Sequence, residues 1–100
     1  MSVNIELDHK KIMAFCNRNR IRHLALFGSV LRDDFGPDSD VDVLVEFEPT
    51  ARVGLLGLAG MEIELSEILG RTVDLNTPGF LSKYYRNKVL AEAEVQYDAA

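Results

Sequence analysis

The segment Val41–Phe47, VDVLVEF, constrains the fold more than any other stretch of the chain. Strand side chains alternate between two faces. Val41, Val43, Val45 and Phe47 therefore share one apolar face. Asp40, Asp42, Leu44 and Glu46 share the other. A chain with such a strand must cover the valine face with other elements. The opposite face receives the end of an acidic run, five aspartates between Asp33 and Asp42. Carboxylates this close repel one another, and a bound cation would relieve them.

The flanking sequence supplies the covering elements. Apolar residues at Leu7, Ile12, Phe15 and Cys16 predict a helix over Leu7–Arg18, with Asp8 as its N-cap. Ile21–Phe27 reads as a strand ending at Gly28-Ser29, with one helical turn over Val30–Arg32 and a loop over Asp33–Ser39. Pro49–Gly54 is a connection. Leu58, Met61, Leu65 and Ile68 form the stripe of a helix over Leu55–Leu69, with Glu62, Glu64 and Glu67 on its wet side and Gly70 as its stop. Thr72–Leu75 is a third strand. Pro78-Gly79 turns, and Leu81–Tyr97 is expected to be a last helix, capped by Thr77 or Ser82. This order predicts a small α/β (α+β) domain spanning residues 1–100. Its short mixed β-sheet is flanked by helices packed mainly on one side. Tyr84 and Tyr85 are expected to pack, and His23 to be an ordinary sheet residue.

A chain of 100 residues has room for one modest core. A large acceptor would need a surface supplied by a partner. The net charge of −5 disfavours binding to a phosphate backbone, which is driven by counterion release from basic contacts. The clusters Arg18, Arg20, Arg22 and Lys83, Arg86, Lys88 read as solvated faces. The single cysteine, Cys16, excludes an internal disulfide and falls in a helical apolar pattern, which predicts a buried inert thiol. No leader-like or membrane-length apolar run is present, so a soluble cytoplasmic protein with no membrane contact is expected.

The chemistry concentrates on the acidic strand. Asp40 and Asp42 project from one face, roughly 6–7 Å apart by the strand rise, a spacing from which both can reach a hard divalent cation. Magnesium takes such oxygen ligands and shares its sphere with substrate phosphates, and two such ions can clamp the attacking and leaving oxygens of phosphoryl transfer. Asp74, in TVDLN, is a strand aspartate between apolar neighbours and is the candidate third ligand. Gly28 lets a backbone approach phosphate, Ser29 adds a hydroxyl, and Arg32 lies one turn later. Taken singly, a Gly-Ser pair is usually a turn and an Asp-x-Asp usually polar surface. The specificity lies in their combination and spacing.

That combination, Gly28-Ser29, ten residues, then Asp40-Val41-Asp42, resembles the motif of the DNA polymerase β-like nucleotidyltransferase superfamily. LFGSVLR, SDVDVLVEF and TVDL resemble its minimal nucleotidyltransferase (MNT) branch. The resemblance implies that Gly28, Ser29, Arg32 and Ser39 bind nucleotide. It also implies that Asp40, Asp42 and Asp74 are catalytic and hold two Mg2+ ions. Members often carry an arginine where this chain has Arg32, and many follow it with glycine, where this chain has Asp33. Many MNT proteins are antitoxins paired with a HEPN toxin, to whose tyrosine hydroxyl they transfer AMP from ATP. The expected partners are therefore ATP and a cognate HEPN toxin, with homo- or hetero-oligomerisation left open. Two other functions stay open: an antitoxin of the same fold acting by stoichiometric contact, and nucleotidyl transfer to a small molecule.

Overall fold

The computed structural model describes residues 5–33 and 35–99. Its elements are α1 (His9–Arg18), β1 (Ile21–Phe27), β2 (Val41–Phe47), α2 (Leu55–Leu69), β3 (Val73–Asn76), α3 (Lys83–Glu92) and β4 (Glu94–Asp98), with short 3-10 turns at Gly28–Leu31 and Pro78–Phe80. The strands form one sheet in the order β3-β2-β1-β4. β1 pairs antiparallel with β2 and β4, whereas β2 and β3 run parallel across the α2 connection. The mixed sheet flanked by helices is the expected class.

Local chemistry sets most boundaries. Asp8 caps α1 by accepting from the Lys11 N–H at 3.2 Å, so the helix starts at His9 rather than Leu7. Gly70, with φ of 68°, ends α2, and the Gly70 and Arg71 N–H groups both bond to the Ser66 carbonyl. The helical turn after β1 begins at Gly28, two residues before the expected Val30. β3 is displaced by one residue from the expected Thr72–Leu75. The described residues of the loop after Arg32 carry no regular element, and Asp34 lies outside the described residues.

The valine face behaves as its alternation requires. Val41, Val43 and Val45 pack with Leu24, Leu26 and Val73 beneath Ile12, Phe15 and Cys16 of α1 and Leu65 of α2. The opposite face is not bare beyond the acids. Phe27 and Leu44 are buried there beneath Val89 of α3, with Leu81 and Ala93 at the margin. Helices therefore cover both faces, two on one and one on the other.

Three expectations are corrected. The last helix does not run to Tyr97. It stops at Glu92, and Ala93 turns extended (ψ 139°) so that Glu94–Asp98 can pair with β1. The open hydrogen-bonding edge of β1 outweighs the local helical spacing. Tyr84 does not pack: it is 90 % exposed, and Val89 is the buried residue of α3. Glu62 is not on the wet side of α2 but turns to the backbone of β3, accepting from the Leu75 N–H. Cys16 is fully buried, as expected, and burial pushes its thiol pKa up to about 12.

Candidate active site

The pairing of three strands builds the acidic face. Asp42 lies opposite Phe27 of β1 and in register with Asp74 of β3. Directly opposed residues point to the same side of a sheet, and neighbouring strands are about 4.8 Å apart. Asp42 and Asp74 therefore stand side by side. Asp40 lies two residues before Asp42, where the Val41 N–H bonds to the Thr72 carbonyl at 2.8 Å and holds the start of β2 against the approach to β3. The sheet thus brings together the three predicted acids, from two segments separated by α2.

Gly28 closes the other side. Its φ is +77°, a conformation that L side chains rarely adopt. A Cβ there would lie 2.2 Å from Oδ2 of Asp42 and 3.1 Å from its Cγ. The turn backbone is pressed against the carboxylate, and only glycine allows it. The electrostatics agree with the crowding. Burial is the main cause of a raised Asp42 pKa, the Asp74 and Asp40 carboxylates raise it further, and the Arg32 guanidinium opposes them. Arg32 is thus close enough for its charge to act on Asp42.

The remaining predicted residues surround this centre. Ser29 follows Gly28, and its Oγ stands 3.4 Å from the Asp40 carbonyl as a long hydrogen-bond donor. Ser39 lies beside Asp40, but its Oγ accepts from the Gly36 N–H at 3.1 Å, and its own N–H bonds to the Gly36 carbonyl at 3.1 Å. Its hydroxyl closes the loop that leads into Asp40.

Arg71 was not anticipated. Its guanidinium donates to the Gly36 carbonyl, donates to the Ser39 carbonyl at 3.3 Å, and stands 4.4 Å from the centre of the Phe35 ring. It ties the residues before β3 to the loop before β2, bracing the approaches to Asp74 and Asp40 together. The only sequence signal was a cation three residues before the strand aspartate, and nothing local connects it to Gly36.

The acids offer hard oxygen donors and an excess of negative charge, which suit a divalent cation. Among the described residues, however, no group of three His, Cys, Asp or Glu side chains is arranged to hold one metal ion. The set fits such an ion in donor chemistry and not in its present side-chain geometry.

Comparison with known proteins gives a consistent result. The sequence profile of the nucleotidyltransferase domain matches residues 9–95. Protein adenylyltransferase MntA of Thermococcus cleftensis is 37 % identical over 84 residues, covering 84 % of this chain and 81 % of that protein. A solved structure assigned as a minimal nucleotidyltransferase superposes with a TM-score of 0.71 at 34 % identity, covering 85 % of each chain. A toxin–antitoxin complex with AMP-PNP gives a TM-score of 0.75 at 20 % identity, covering 92 % of this chain and 74 % of that one. A complex of a tri-AMPylated Shewanella oneidensis HEPN toxin with its MNT antitoxin gives 0.62 at 20 % identity, covering 90 % and 69 %. At 20 % identity these two show the fold alone.

Proposed function

The chain belongs to the nucleotidyltransferase domain family, and from that premise we propose that it is an antitoxin that transfers AMP from ATP to a tyrosine hydroxyl of a cognate HEPN toxin. The observation that carries this reading is the register Asp42–Asp74 with Gly28 pressed on Asp42. It sets an anion-tolerant turn beside paired carboxylates, as nucleotidyl transfer requires. The adenylyltransferase relative and the AMPylated HEPN toxin held by an MNT antitoxin support the acceptor class, and the AMP-PNP complex supports ATP as donor.

In this mechanism the Gly28-Ser29 turn, Arg32 and the Ser39 loop seat the triphosphate. The tyrosine oxygen attacks the α-phosphorus, the bond from that phosphorus to the bridging oxygen breaks, and pyrophosphate leaves. Asp74 takes the phenolic proton. With their side chains turned onto the ions, Asp40, Asp42 and Asp74 would hold Mg2+ in a two-ion site, which would supply neutralisation of the phosphate charge. Positioning and charge compensation do most of the work. Among the described residues no helix is long and apolar enough to cross a membrane, and the site of action we propose is the cytoplasm, beside the toxin.

The test mixes the protein, labelled ATP, Mg2+ and the toxin encoded beside it, and reads mass added to a toxin tyrosine. Wild type should modify and neutralise the toxin at sub-stoichiometric amounts. Asp42→Asn should keep the fold and lose transfer by about a hundredfold or more, the scale of removing one preorganised electrostatic group. If neither protein modifies the toxin and both neutralise it mole for mole, stoichiometric contact is the function. Transfer to an added small molecule but not to the toxin would move the acceptor to that class.

A further inference from the structure

We infer that Glu62 and Ser66 of α2 are positioning residues for Asp74, an inference that rests on the transfer reaction proposed above. β3 has four residues and lies at the edge of the sheet, so among the described residues β2 is its single strand neighbour. Edge strands expose a row of unpaired amides. Here the amides on either side of Asp74 are taken by α2. The Val73 N–H donates to Ser66 Oγ at 3.0 Å, and the Leu75 N–H donates to Glu62 Oε2 at 2.8 Å. Ser66 Oγ donates in turn to the Glu62 carbonyl at 2.7 Å, which fixes its rotamer.

The spacing is matched. Four residues of helix rise about 6 Å, and two residues of strand rise about 6.6 Å. Two acceptors one turn apart on α2 therefore meet two alternate amides on β3. Together with β2 they hold the strand from both sides. A one-residue slip of β3 would turn Asp74 to the opposite face, away from Asp42; burial of Val73 and packing of Leu75 resist it from the core side, and the two α2 acceptors resist it from the open edge. The two side chains are turned to the backbone amides of β3. They act through the backbone of β3 on the carboxylate that takes the acceptor proton.

The experiment compares Glu62→Ala, Glu62→Gln and Ser66→Ala with wild type in toxin AMPylation, affinity for AMP-PNP by calorimetry, and amide exchange of β3 by NMR. Glu62→Ala should lower kcat at least tenfold while AMP-PNP affinity stays within twofold, because the turn at Gly28-Ser29 is untouched. Glu62→Gln keeps an acceptor oxygen and should recover most of the loss. Ser66→Ala should fall in the same direction. Leu75 amide protection should drop in Glu62→Ala and return in Glu62→Gln. Unchanged kcat in Glu62→Ala overturns the inference. So does an equal loss of kcat and nucleotide affinity, or a Gln variant as impaired as Ala. A wild type that transfers nothing would sink the proposed reaction instead. In that event unchanged Leu75 protection in Glu62→Ala would also dismiss the hold of Glu62 on β3.

Discussion

Gly28 is the residue of the candidate site with the least freedom to change. Its backbone is left-handed and its missing Cβ is the space that Asp42 occupies. Alanine would incur the left-handed cost of about 1–2 kcal/mol. It would also drive the Asp42 carboxylate out of its present place, since the added Cβ meets its Oδ2, Cγ and Cβ alike. Gly28→Ala should therefore lower the denaturation midpoint and reduce AMP transfer to about one hundredth or below, taking the oxyanion-type penalty as a guide. Gly60 is the internal control. It lies inside α2 with nothing within 4 Å of a built Cβ, so Gly60→Ala should stabilise by about 0.5–1 kcal/mol through helix propensity. Urea titration of the two variants checks both signs. A Gly28→Ala protein as active and stable as wild type would remove the close approach from the account.

Among the elements, the loop ahead of β2 depends on a residue ahead of β3. Arg71 reaches two of the loop's carbonyls and covers Phe35. Removing it leaves those carbonyls to water and frees Asp40 to move. Arg71→Ala should cost about 1.5–3 kcal/mol, the scale of a charged hydrogen bond, and should weaken AMP-PNP binding about tenfold. Lysine should restore little of it, since a point charge cannot reproduce a planar fork that bonds and stacks at once. Calorimetry on the two variants reads this directly, and equal affinity in Arg71→Ala would confine Arg71 to a purely structural role. A wrong element boundary has the same origin in distant contacts. Residues 94–98 carry Val95 and Tyr97 at strand spacing, yet they follow α3 without a glycine or proline to mark the end. Only the edge of β1 distinguishes a fourth strand from roughly one and a half more turns of helix.

At the scale of the whole molecule, net charge bears on which partners are favoured. The net charge is −5, and part of the first basic cluster is already engaged. Arg18 pairs with Glu64, and Arg20 bonds to Thr50 at 2.8 Å and lies 3.9 Å from Glu48. The acidic balance disfavours a phosphate backbone, whose binding is driven by counterion release at basic contacts. Anisotropy of labelled single-stranded RNA or duplex DNA should show no binding at about 0.15 M salt. Saturable binding under those conditions would reopen a nucleic-acid role. The two-sided core is also a property at this scale. Leu44 shares its strand face with Asp42, yet it is fully buried because α3 crosses there. One face of the sheet therefore carries both a core and the candidate site.

The sequence by itself determined the elements whose signals are short-range. Alternation in Val41–Phe47 specified its two faces, Asp8 and Gly70 bounded their helices, and the spacing from Gly28-Ser29 to Asp40 and Asp42 marked the candidate site. The faces and the caps depend on residues within about one turn or one strand of one another, where periodicity and capping act, and the motif is a fixed spacing along one continuous stretch of chain. The tertiary structure alone decided that Asp74 stands in register with Asp42, that Glu62 faces an amide instead of water, that Arg71 braces the Asp40 loop, and that residues 94–98 pair with β1. Those outcomes join groups 13 to more than 60 residues apart. Each follows from the need to satisfy buried or edge hydrogen-bonding groups, a need that arises only once the sheet has formed.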